Sequence, residues 1–334
     1  MADVAVIGLG GMGSATAFHL ARRGASVIGF EQFTEAHNLG SSHGDSRVIR
    51  EAYFEDPAYV PLLRRSYELW ADASEASGSE LLTLCGGLMI GRPDDGVVAG
   101  STASAREWNI PHEILDADEI RRRWPQMTPA EDQIALFEHR SGFVPPEASV
   151  RAHAGLARRA GADLRFETSV DQLSFSSDGV EIEAGGRRWS VEHAVVTAGP
   201  WAGRLLPRWA GALSVRRVGM YWFAPDDWQR YRVGRFPVHV WDDAERLRLY
   251  GFPAHGDPRG GVKVAFFRAG EVCEPDAVNR RVAPEEIETM RAHLAARVPG
   301  LAGECLRATV CLYTDTPDEH FVIGHHPECD RVTV

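Results

Sequence analysis

The chain has 334 residues, 44% hydrophobic and 25% charged, with 36 Lys and Arg against 47 Asp and Glu and a net charge of −11. That is the balance of a soluble globular protein of about two domains, and the acidic surplus argues against nucleic acid and anionic membrane as partners. No apolar run reaches the roughly 18 residues of a membrane span, and the five scattered cysteines lack a CxxC pair, so neither a disulfide framework nor a zinc ribbon is expected and a cytoplasmic setting is.

The chain opens directly into an apolar run, Val4-Ala5-Val6-Ile7, so no secretory leader is expected. Gly8, Gly10 and Gly13 follow in GxGxxG spacing, then a helix-like stretch to Arg23, a stop at Gly24, and a second apolar run, Ser26 to Phe30, ending at Glu31. In this order each glycine has a physical purpose: a tight turn, close approach of backbone to a pyrophosphate, and close packing of helix on strand. The pyrophosphate would rest on the unpaired N–H groups of the helix start. Glu31 is placed to accept from a ribose, and its charge disfavours a 2′-phosphate. The fingerprint therefore predicts dinucleotide binding and leaves FAD and NAD both open.

Next comes a polar loop, Asn38 to Arg47, running into Val48-Ile49-Arg50. Long loops after the early strands of such sheets often carry function, and Arg47 and Arg50 would share one face if this segment were helical. Pro57 to about Ala76 reads as an amphipathic helix. Leu81 to Ile90 reads as a strand interrupted at Gly86-Gly87, and Ser101 to Trp124 as two short helices split at Pro111. Arg121-Arg122-Arg123 reads as a solvated face.

A helix is expected from Glu147 to Ala160, ended by Gly161, then short strands at Asp163–Phe166, Val170–Phe175 and Val180–Ala184. His193 to Trp201 is an apolar strand entering a Gly199-Pro200 turn, which suits backbone approaching a cofactor. From about Ser214 aromatic-rich alternating segments, Val218–Phe223, Val238–Trp241, Leu247–Phe252 and Val262–Phe267, predict a largely antiparallel second sheet. Pro284 to Arg297 is a helix bracketed by prolines, and Cys305 to Tyr313 a further strand. The last stretch holds metal-capable Asp318, Glu319, His320, His325 and His326. They lack the spacing of a ligand set, so a polar loop and no metal are expected.

Several blocks in family order resemble the flavin-dependent sarcosine oxidase and N-methyltryptophan oxidase family, within the D-amino-acid-oxidase-like amine oxidases. They are the opening glycines, Ser42-His43-Gly44-Asp45-Ser46-Arg47-Val48-Ile49-Arg50, Arg123-Trp124-Pro125, Ala198-Gly199-Pro200-Trp201, Tyr250-Gly251-Phe252-Pro253 and Cys311-Leu312-Tyr313-Thr314-Asp315-Thr316-Pro317-Asp318-Glu319-His320-Phe321. The resemblance implies an α/β fold: a Rossmann-like FAD-binding domain (1–82, 146–212 and 306–334) and an antiparallel-sheet substrate domain (83–145 and 213–305). It implies FAD, joined by a thioether at Cys311, with Val170 and Gly199 among the cofactor contacts and His43 and Arg47 lining one face of the flavin ring. Arg50 resembles the arginine that pairs with a substrate carboxylate, Lys263 the lysine that promotes reaction of reduced flavin with O2, and Tyr250 and Tyr313 aromatic residues of the substrate pocket.

The implied reaction is oxidation of the C–N bond of a secondary amino acid to an imine, with O2 reduced to hydrogen peroxide by a monomeric enzyme. A dehydrogenase passing electrons elsewhere and a non-catalytic dinucleotide-binding remnant remain as alternatives. Two departures from the family bear on this. Members acting on sarcosine carry a histidine four residues after the lysine, where this chain has Phe267, so a bulkier or more hydrophobic N-alkyl or cyclic amino acid is expected. The family continues past the strand that begins at Arg331-Val332-Thr333-Val334 into a glycine-rich flavin-contacting segment. A C-terminally truncated chain that binds FAD poorly is therefore expected.

Overall fold

The computed structural model describes residues 2–175, 179–242 and 247–334. Its first sheet is built on the opening strand Ala2–Ile7, which runs parallel to Val27–Phe30 on one side and to Arg187–Val196 on the other. Asp163–Arg165 continues the parallel part beyond Val27–Phe30. Val170–Phe175 and Val180–Ala184 form an antiparallel meander on Arg187–Val196, and Cys329–Thr333 pairs with the far half of that same strand. Period-two alternation divides the opening strand between two cores. Ala5 and Ile7 pack with Ile28, Phe30 and Val196, while Val6 packs with Phe18, Ala21 and Leu156 of the helices Gly11–Arg22 and Pro146–Arg159.

The second sheet has eight strands in the order Cys305–Asp315, Ser214–Phe223, Val262–Phe267, Arg248–Gly251, Val238–Trp241, Gly87–Gly91, Ile134–Glu138, His112–Asp116. It is antiparallel throughout except for the parallel joint between Val238–Trp241 and Gly87–Gly91. One face, with Tyr221, Phe223 and Trp241, is covered by Met290 and Leu294 of the helix Pro284–Arg297. The other, with Met220, Trp222, Tyr250, Phe252, Ala265 and Cys311, packs against Ala52 and Phe54 of the loop that follows the first sheet. A small third sheet joins Arg47–Ile49, Gly142–Val144 and Thr83–Leu84.

Four expectations change. Cys305–Asp315 pairs along its length with Ser214–Phe223, so the chain does not return to the first sheet at residue 306; it does so with His325–His326 and Cys329–Thr333. The stretch around Pro111 is not helix on both sides: a strand, His112–Asp116, lies between the helices Gly96–Glu107 and Ala117–Arg123. The Leu81–Ile90 strand is two strands in different sheets, parted at Gly86 with φ of 76°. Arg47 opens a strand instead of a helix, so Arg47 and Arg50, three apart, do not share a face.

Candidate functional site

The three fingerprint glycines separate into two kinds. Gly8 has φ of +91°, and a Cβ there would lie 2.6 Å from the Thr197 carbonyl oxygen; at Gly13 it would lie 1.8 Å from that of Gly8. Both are imposed by packing. At Gly10 the nearest atom would be Ser42 Oγ at 3.5 Å, ordinary contact, so this position is open on the side where a phosphate would approach. Ser42 Oγ itself accepts from the Gly11 N–H at the helix start, at 2.9 Å.

Glu31 is buried, with its carboxylate accepting from the N–H groups of Leu9 at 2.9 Å and Phe33 at 3.1 Å. Burial raises its pKa, opposed by these backbone bonds. A cavity of about 480 Å³ is lined by Gly8, Gly10, Glu31, Val170 and Gly199, and extends to Tyr53, Glu55, Phe267, Tyr313 and Phe321.

Behind the far wall of this cavity the loop after Ser42 is clamped to the second sheet. Glu147, in the first turn of its helix, accepts from the N–H groups of Gly44 at 2.5 Å and Asp45 at 3.2 Å. Lys263 shares its strand face with Ala265 and Phe267. That face is covered by the loop, so Lys263 is 1% exposed and donates to the carbonyls of Gly44 at 2.6 Å and Ser46 at 2.7 Å. The ammonium also lies 5.0 Å from the centre of the Phe252 ring. Burial first, and then the Arg47 charge, push its pKa well down, so its proton is held more loosely than that of a surface lysine.

Arg47 Nη2 donates to the sulfur of fully buried Cys311 at 3.3 Å and also to the Ser41 carbonyl. His43 is buried, its pKa pulled down to about 4 by burial and then by the Arg47 and Lys263 charges. Its Nε2 has no hydrogen-bond partner among the described residues.

Arg50 pairs with Glu55 at 2.6 Å and lies against the rings of Tyr53 and Phe54, 4.2 and 4.4 Å from their centres. Its Nε has no hydrogen-bond partner among the described residues. The turn that carries it is fixed by buried Glu138, which accepts from the N–H groups of Glu51 at 2.9 Å and Ala52 at 2.9 Å. Tyr250 and Tyr313 bring their hydroxyls to 3.5 Å, and Phe267 packs edge-on against Tyr313 and Phe54.

Of the residues singled out from sequence, Gly8, Gly10, Glu31, Val170, Gly199 and Tyr313 line the cavity. Gly13 lies beneath the turn. His43, Arg47, Arg50, Tyr250, Lys263 and Cys311 form the layer behind the far wall. The C-terminal acid and histidine cluster is taken up by loop contacts: Asp318 accepts from Thr316 and from the His320 N–H, His320 Nδ1 meets the Tyr59 hydroxyl, and Glu319 pairs with Arg268. Glu55, Glu138 and Glu147 escaped sequence reading. Glu147 was visible only as an acid in a helix's first turn, and nothing local marks the other two.

A dinucleotide carrying a flavin suits these residues. Gly10 leaves an open cradle, and His43 Nε2, Arg50 Nε and Thr314 Oγ1 are buried polar atoms lacking partners, with Thr314 on the cavity wall. A nucleotide-binding parallel sheet opening onto an antiparallel sheet with buried cations at the junction defines a dinucleotide-dependent oxidoreductase. The chain belongs to the FAD dependent oxidoreductase family, which its sequence matches over residues 3–334, and within it to the sarcosine oxidase and N-methyltryptophan oxidase type.

It is 48% identical to the monomeric sarcosine oxidase of Streptomyces avermitilis, over 99% of this chain and 87% of that protein. It is 32% identical to the N-methyl-L-tryptophan oxidase of Yersinia pestis, over 99% and 88%. In fold it is similar to NikD, an unusual amino acid oxidase essential for nikkomycin biosynthesis, with a TM-score of 0.86 and 22% identity over 99% of this chain and 88% of that one. No helix among the described residues is long and apolar enough to cross a membrane.

Proposed function

We propose that this chain oxidises the C–N bond of a secondary amino acid, N-methylated or cyclic, to an imine that water hydrolyses, with O2 as electron acceptor and hydrogen peroxide as product. The observation that carries this reading is the clustering of Arg47, Cys311 and Lys263 around one loop, Ser41 to Ser46, beside a cavity that begins at the opening glycines. The names of the two sequence relatives supply the substrate class. Bound FAD supplies the hydride-accepting chemistry, and the protein supplies orientation and electrostatics.

In this reading Cys311 holds the flavin through a thioether, and Arg47, donating to the sulfur, orients it. Arg50 receives the substrate carboxylate on its planar guanidinium, whose Nε is unpaired and whose Nη2 now holds Glu55. Phe267, Tyr313 and Tyr53 exclude water from the apolar part of the substrate. No side-chain base is assigned, because an amine can enter already deprotonated. Lys263 presents charge and a proton where negative charge develops on oxygen.

The test is a panel of sarcosine, N-methyl and cyclic amino acids offered to the FAD-loaded protein, with amine loss and peroxide measured together. Matching yields support the proposal. Turnover only with an added dye acceptor removes oxygen from it, and no amine consumption across the panel removes the whole.

A further inference from the structure

The Arg123-Trp124-Pro125 block takes no part in the cavity described above, and it leads to a separate cleft. This second cleft, about 370 Å³, is lined by Arg123, Gln126, Gln229, Arg230, Arg232 and Arg235. In a chain of net charge −11, four guanidinium groups facing one hollow need an explanation. Two are already engaged: Arg123 pairs with Glu113 and Glu119, and Arg230 with Asp226. Arg232 and Arg235 have no ion-pair or side-chain hydrogen-bond partner among the described residues.

The turn that carries them is well anchored. The N–H groups of Arg235 and Phe236 both donate to the Arg232 carbonyl, at 2.9 and 3.1 Å, and the buried rings of Tyr231 and Phe236 meet edge to face on either side. The backbone of the turn is therefore fixed, and the two free cations stand exposed on it. A second, independent feature lies in the same cleft. Gln126 is 7% exposed, and its Nε2 is spent on the Arg230 carbonyl. Its Oε1 is buried without a hydrogen-bond partner among the described residues. A buried acceptor left unmet beside unpaired cations calls for a ligand that brings both negative charge and a hydroxyl.

We propose that this cleft is a binding site for a small hydroxylated phosphate ester, its phosphate held by Arg232 and Arg235 and a hydroxyl donating to Gln126 Oε1. The volume falls in the range of small-molecule sites, and guanidinium forks match phosphate oxygens in pairs. Arg123 and Arg230, already neutralised, serve as walls and add little attraction.

Glycerol 1-phosphate, inorganic phosphate and a short poly-glutamate peptide would be titrated by calorimetry into the FAD-loaded protein at constant ionic strength, so that the nucleotide cleft is filled. Glycerol 1-phosphate is expected to bind more tightly than inorganic phosphate. Arg232→Ala/Arg235→Ala is expected to weaken it roughly tenfold or more, and Gln126→Leu to remove its advantage over inorganic phosphate. Preference for inorganic phosphate, for poly-glutamate, or an unchanged affinity in the double variant would overturn the proposal. The two arginines are surface residues of a turn, so their loss leaves the fold intact, and melting of the double variant checks this directly.

Discussion

Arg47 and Cys311, 264 positions apart in sequence, meet with a guanidinium nitrogen 3.3 Å from the sulfur. The contact brings a loop of the first domain onto the last strand of the second sheet. If the thiol carries the flavin, acid precipitation of the holoprotein leaves the yellow colour in the pellet. Cys311→Ala is then expected to release nearly all of it to the supernatant. Arg47→Met should load FAD but form the linkage far more slowly, read by mass spectrometry as protein without the added flavin mass.

Lys263 gives a kinetic prediction. Its two carbonyl acceptors belong to the loop at Gly44 and Ser46, so the ammonium sits between the sheet and that loop. Lys263→Met is expected to slow reoxidation by O2 on the order of a hundredfold while leaving reduction by amine within a fewfold. Stopped-flow measurement of the two half-reactions separates them, and equal slowing of both would assign the lysine to holding the loop instead.

Phe267 lies on the cavity wall between Tyr313 and Phe54. Introducing a polar imidazole by Phe267→His adds a hydrogen-bonding group and removes apolar contact. The ratio of kcat/KM for sarcosine to that for a bulky N-methyl amino acid is expected to rise by about tenfold. A ratio that does not move would place selectivity elsewhere on the wall.

His239 governs part of the acid response. It is fully buried, and burial, opposed by the Pro237 backbone, holds its pKa at about 4. Above pH 6.5 neither folded nor unfolded chain protonates it. As pH falls from 6.5 toward 4 the unfolded chain takes up a proton that the folded one refuses, so this group's contribution to stability drops, by at most about 1.4 kcal/mol per pH unit in the middle of that window. His43, also depressed to about 4, adds a loss of the same sign. His239→Leu is expected to flatten the fall in melting temperature between pH 6.5 and 4; an unchanged slope would show that His239 is not the group responsible.

What could be read from sequence follows the range of the forces involved. The fingerprint was legible because Gly8 and Gly13 answer local backbone demands, and the helix Pro284–Arg297 because its prolines bracket it. Alternation also marked Val262–Phe267 as a strand, with Lys263 on one of its faces. Whether that face met water depended on a loop 219 residues earlier, which no local pattern reports. His112–Asp116 was misread because this edge strand is half polar, with only Leu115 buried within it. Glu138 was missed because a carboxylate bound to backbone N–H groups 86 and 87 positions away looks, in sequence, like any surface acid, and Glu55 because nothing in a loop shows which of its charges will pair.

The single parallel joint in the second sheet ties Gly87–Gly91 to Val238–Trp241, while the first sheet pairs its opening strand with Arg187–Val196. The two halves of the molecule are thus threaded through each other along the chain. During synthesis, a nascent chain emerging as far as residue 180 has neither sheet's central pairing available, and each must wait for partners made much later. Such delayed long-range closure predicts slow refolding and a period in which the edge of Gly87–Gly91 that takes Val238–Trp241 remains open. Cutting the gene between residues 92 and 186 would therefore yield two insoluble pieces, not two working domains.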